Sequence, residues 1–154
     1  MHNQIKTNTR LAFIQFIFSS LFSNSSIENS SIEFEDYFYN LPVSSMEQSK
    51  VSKINFNKNY FKKLTLNYGE FIKKNDLNRF INPFISFDRK FENWDPINKS
   101  IILSILSELE ITNKEKVKIL LNDYLNISKS FIPKKEIAMI NAITDKYINE
   151  KKII

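Results

Sequence analysis

Apolar side chains recur at helical spacing along most of this chain, and almost nothing interrupts them. One glycine, Gly69, and four prolines stand in 154 residues. Glycine and proline are the strongest local breakers, and ordinary strands are short runs bounded by them. Apolar runs this long with so few breaks predict an all-α fold of about seven helices. With 42% hydrophobic and 14% aromatic residues, the chain is long enough to form a single domain over 1–154 with a real core.

The first helix is expected over about 9–22. Leu11, Ile14, Phe18 and Leu21 form its stripe, Ala12, Ile17 and Phe22 widen it, and Arg10 and Gln15 fall outside. Residues 24–57 carry the weakest pattern, a loop or short-helix region. Ser25 with Glu28 and Ser30 with Glu33 have capping-box spacing, and Ile32, Phe34, Phe38 and Tyr39 fit a short helix ended by Pro42. The stretch 44–57 reads as a loop or one weak helix. From Asn59 the pattern sharpens: Phe61, Leu64, Tyr68, Phe71 and Ile72 line a helix ending near Lys74. Asp76 caps a segment with Leu77, Phe80, Ile81, Phe84 and Ile85, bent at Pro83. An aromatic, charged stretch follows over 87–94, read as a packed loop, with Trp94 as a core plug. Asp95-Pro96 is a strong helix start, and the run Ile97, Ile101, Ile102, Ile105, Leu106, Leu109 is apolar nearly all round, which places it at the centre of the core. Thr112 and Glu115 form a further capping box before Val117, Leu120, Leu121, Tyr124, Ile127 and Phe131. The last helix begins after Pro133.

Several chemistries lack their residues. There is no cysteine, and the single histidine, His2, lies at the N-terminus. Disulfides, thiolate metal sites and histidine-based catalysis are therefore not expected. No glycine-rich phosphate loop and no paired-carboxylate spacing occurs, so the reading is of a chain that is not an enzyme and needs no cofactor. The apolar run 11–22 follows Lys6 and Arg10 as a signal-peptide core would. Gln15 and two serines interrupt it, no small-residue cleavage pattern follows, and it is far shorter than the roughly 20 apolar residues that span a bilayer. No membrane partner is expected, and the expected compartment is the cytoplasm.

The net charge is +5, and its placement matters more than its size. No acidic residue precedes Glu28, and basic residues return along 50–74 and in the last quarter of the chain. Patchy basic surface suits a phosphate backbone, although lysine runs are commonly only solvated faces. The last quarter also holds polar residues within apolar helical patterns: Asn122-Asp123, then Asn141 with Asp145. Mid-helix Asn and Asp are poor helix formers, so these four predict either a buried polar join between two helices or a binding surface at their junction. Between them Phe131 stands at a helix–helix turn, followed by Lys134 and Lys135. An exposed ring beside lysines stacks unpaired bases and holds their backbone. Gln15, about a turn beyond Arg10, offers an amide to base edges.

Arg10-Leu11-Ala12-Phe13-Ile14-Gln15-Phe16-Ile17-Phe18 resembles the Arg-x-x-Ala-Val-Gln-Ala-Leu-Tyr opening of the NusB family of transcription antitermination proteins. Tyr60–Leu64 resembles the start of that family's third helix, and Ile101–Leu109 its central helix, with Glu108-Leu109 retained. Val117–Tyr124, Ser128-Lys129-Ser130-Phe131 and Ile140–Asp145 resemble its Val-Ile-Asn-Glu-Tyr, Ala-Lys-Ser-Phe and Val-Asn-Gly-Val-Leu-Asp segments. The chain departs from the pattern in its reduced N-terminal arginines, in Ala142 and Asn67 at glycine positions, and in Leu103 and Ser107 on the central helix. The resemblance implies two packed three-helix subdomains. It also implies binding of single-stranded box A RNA from ribosomal RNA leaders, jointly with NusE, a protein of the small ribosomal subunit, within the RNA polymerase antitermination complex. By position, Lys6, Arg10, Gln15 and Phe18 fall on the RNA side, with Phe131, Lys134, Lys135 and Met139 on its other edge. Two alternatives share the fold: a NusB-like module associated with an rRNA cytosine methyltransferase, and a protein–protein adaptor without RNA binding.

Overall fold

The computed structural model describes residues 2–22, 42–44, 51–53, 55–85 and 89–151. The short helix expected over 32–39 lies outside them. Six α-helices are formed among the described residues: α1 (His2–Ser20), α2 (Lys58–Lys74), α3 (Leu77–Ile81), α4 (Pro96–Leu109), α5 (Val117–Ser128) and α6 (Lys134–Lys151). Short 3-10 turns lie at Asn82–Phe84, Phe91–Asn93 and Lys114–Lys116. The all-α class holds, with one small addition. Pro42–Ser44 and Val51–Lys53 pair antiparallel, Val43 opposite Ser52, where a loop or weak helix was expected. Val43 and Val51 are β-branched and favour extended backbone, but three residues are too few to show a period.

α4 is the hub. Its apolar positions leave no polar stripe, and every residue from Ser100 to Leu109 is buried. The helix packs against α1, α2, α5 and α6, while α1 also meets α2 and α5, and α5 meets α6. Two helical triplets, α1–α2–α4 and α4–α5–α6, thus share one member and one continuous cluster of buried side chains. Serines fit at its centre because their hydroxyls bond back along the helix: Ser100 Oγ donates to the Pro96 carbonyl at 2.7 Å and Ser104 Oγ to that of Ile101 at 2.8 Å.

Local chemistry sets the element ends. Asn57 caps α2, its side chain accepting from the Tyr60 N–H at 3.0 Å, and Asp76 caps α3, accepting from the Arg79 N–H at 3.5 Å. Pro83 lacks an N–H, and the chain changes from α to 3-10 geometry around it. Trp94 is 4% exposed and donates its indole N–H to the Arg89 carbonyl at 3.2 Å. Two expected caps differ. Asp95 sits at the N-cap of α4 without a side-chain cap bond, and its Oδ1 lies 3.8 Å from Arg89 Nη2. The Thr112–Glu115 box is not formed. Thr112 Oγ1 instead donates to the Glu108 carbonyl at 2.7 Å, finishing α4 rather than starting α5.

α1 departs most from expectation. It begins at His2, not near Thr9, because its polar first turns have partners: Gln4 bonds Asn8 at 3.0 Å, and Asn8 Nδ2 donates to the Asn55 carbonyl at 2.8 Å. Its buried face is also rotated. Ala12, Phe13, Ile14, Phe16 and Ile17 are buried, whereas Phe18, Leu21 and Phe22 are exposed. A helix apolar on nearly every side has no stripe to fix its phase. Polar anchors fix it instead: Thr9 and Arg10 are both buried.

Candidate nucleic-acid interface

Arg10 enters the protein rather than solvent. Its guanidinium meets Glu108 on α4, with Nη2 2.9 Å from Oε2 and Nε 3.2 Å from Oε1. Nη1 donates to Asp123 Oδ2 on α5 at 2.7 Å. Glu108 is fully buried and also accepts from two phenols, Tyr60 at 2.6 Å and Tyr124 at 2.5 Å. Thr7 Oγ1 donates to the other oxygen of Asp123 at 2.8 Å. The guanidinium lies 5.5 Å from the Tyr124 ring centroid. One arginine, two carboxylates and two phenols therefore tie α1, α2, α4 and α5 together. A buried charge needs such partners, since its desolvation is otherwise strongly unfavourable.

The network also governs ionisation. Burial opposes the charge on Arg10, but hydrogen bonds and charge from Glu108, with Asp123, outweigh it, so the guanidinium stays charged. Burial first, then the negative charge of Glu108, pushes the Tyr60 and Tyr124 phenols well above their ordinary range, so both remain donors. Burial likewise pushes Tyr68 up to about 12.

The remaining expected site residues fall into two groups. On α1, Lys6 is exposed with its Nζ 5.6 Å from the Tyr60 ring centroid, Gln15 is half-buried, and Phe18 is 39% exposed, edge-on to Phe22. At the other edge Phe131 is 42% exposed, Lys134 and Lys135 are exposed in the first turn of α6, and Met139 is half-buried against the core. The two groups are joined through α5. Thr7 and Arg10 grip Asp123, and Phe131 follows in the turn after α5 ends at Ser128. Arg10 is the correction within this set, because its donors are taken by Glu108 and Asp123 and it is only 5% exposed. The polar join is corrected as well. Asp123 forms it, whereas Asn122 and Asp145 are exposed and Asn141 is half-buried. Glu108 was the missed centre of the network, and its signal was a lone carboxylate inside the most apolar helix.

Among the described residues no helix is long and apolar enough to cross a membrane, and no three metal-ligating side chains gather. An all-helical bundle around one buried central helix, with a charged network at the α1–α4–α5 junction, defines the structural class. The sequence model of the NusB family matches residues 7–149. The transcription antitermination protein NusB of Blochmanniella floridana is 34% identical over 97 residues, which cover 63% of this chain and 67% of that protein. The chain belongs to the NusB family.

Proposed function

We propose that this protein is a transcription antitermination factor that binds single-stranded box A RNA together with NusE. It acts without catalysis or cofactor, in the cytoplasm, as part of the RNA polymerase antitermination complex. The observation that carries the reading is the turn between α5 and α6. Phe131 holds an aromatic ring in solvent, and Lys134 and Lys135 follow it with no ion pair among the described residues. Rings in water stack bases, and unneutralised lysines hold phosphates. Lys6, Gln15, Phe18 and Met139 extend the proposed surface, while Arg10 supports it from beneath by fixing α1 on α4 and α5.

Fluorescence anisotropy with a labelled box A oligoribonucleotide, with and without NusE, over a salt series tests the proposal. Binding that is strengthened by NusE and weakened by salt is expected. A salt slope near zero, or equal affinity for a scrambled oligomer with NusE present, sinks it. Retention of NusE with no RNA binding at any salt concentration favours the adaptor reading.

A further inference from the structure

The outer face of the α1–α2 junction carries exposed lysines that form no ion pair among the described residues. No acidic residue occurs in 1–27 or in 48–69, and the helices that run through them, α1 and α2, pack together. Their junction is well fastened. Asn8 Nδ2 donates to the Asn55 carbonyl at 2.8 Å, and the Asn57 N–H donates to Thr9 Oγ1 at 2.9 Å. Arg10 is neutralised within by Glu108 and Asp123. Lys6, Lys62 and Lys63 are exposed, and none forms an ion pair among the described residues.

An aromatic ring lies among them. Tyr60 is half-buried, and its hydroxyl is held by Glu108 at 2.6 Å, which fixes the ring's direction. Lys6 rests over that ring at 5.6 Å from its centroid. Lys63 is one turn along α2 from Tyr60, on the same side of the helix. Phe61, Leu64 and Thr65 are buried, which turns Lys62 and Lys63 outward. A ring fixed from beneath, with Lys6 against it and Lys63 one turn along the helix, is an arrangement that grips a single strand, by stacking a base and pairing the adjacent phosphates. A surface cation–π contact is weak, so Lys6 is free to exchange the ring for a phosphate.

We propose that Lys6, Tyr60, Lys62 and Lys63 form a second contact strip that carries single-stranded RNA from α1 onto α2. This inference rests on the RNA-binding reading above and adds α2 to the surface. The test uses the full chain and a labelled box A oligoribonucleotide in anisotropy titrations over a salt series. The double substitution Lys62→Gln/Lys63→Gln is expected to weaken binding about tenfold at low salt. It should also reduce the slope of log Kobs against log salt by about 1.4, the loss of two phosphate contacts to a single strand. Lys146→Gln/Lys151→Gln, an equal loss of charge on α6, should leave the slope unchanged. Because Tyr60 also supports the fold, its role is read by ultraviolet crosslinking of the unaltered chain, with Tyr60 expected in a crosslinked peptide. An unchanged slope in the double variant overturns the strip while leaving the RNA-binding reading intact. Absence of RNA binding by the unaltered chain overturns both.

Discussion

Arg10 shows how one residue's role turns on its surroundings. In sequence it is a basic residue on an acid-free helix, the type that meets phosphate. In the fold it is 5% exposed between Glu108 and Asp123. Removing it strands a fully buried carboxylate. Arg10→Ala should therefore cost about 3–5 kcal/mol in urea unfolding, and a loss under about 1 kcal/mol would place Arg10 outside the structural network. Any RNA-binding defect in that variant would follow from displacement of α1. The tyrosines set a pH limit in the alkaline direction. Their folded pKa values lie above the unfolded value of about 10, with Tyr68 and Tyr147 both near 12 and Tyr60 and Tyr124 also raised. Groups raised in this way contribute stability that is fully present below the unfolded pKa and is lost as pH rises through the folded one. The urea midpoint should stay level up to about pH 9 and fall above about pH 10. Stability that rises across that window would contradict phenol donation to Glu108.

At the scale of elements, legibility followed contrast between faces. α2 was readable because Phe61, Leu64, Tyr68 and Phe71 recur at helical spacing among mostly polar residues, and these four are buried. α1 was not, because its apolar residues surround the axis and its phase was set by Thr9 and Arg10. α4 is also apolar all round, yet its central place was readable, since such a helix has nowhere else to go. Leu103→Ala on α4 should cost about 2–5 kcal/mol, whereas Ile119→Ala on α5, at a side chain 67% exposed, should change stability by less than about 0.5 kcal/mol. Equal losses in thermal or urea unfolding would mean that the burial pattern is wrong. α6 begins with Lys134 and Lys135 against its own dipole. Lys135→Glu should raise stability by about 0.3–1 kcal/mol while weakening RNA binding in the same preparation. A variant that gains stability and keeps its affinity would remove Lys135 from the interface.

Across the whole molecule, α4 makes the two helical triplets depend on each other, because neither has a core without it. Unfolding should then be cooperative. Trp94, the single tryptophan, is buried just before α4, and its fluorescence should change with the same urea midpoint as the helical circular-dichroism signal. Separated midpoints would show two units melting independently. The sequence by itself determined the all-α class, the central position of α4 and the approximate span of α2, because these follow from spacing, breakers and capping chemistry close along the chain. It also supplied the family, through the order of its segments. Only the tertiary structure decided which polar residues are scaffold and which remain available. Arg10 and Glu108 are 98 residues apart in the chain and Arg10 and Asp123 are 113 apart, so no local period connects them. Their contact reassigns Arg10 to the interior, leaves Phe131, Lys134 and Lys135 in solvent, and brings the acid-free ends of α1 and α2 into one basic junction.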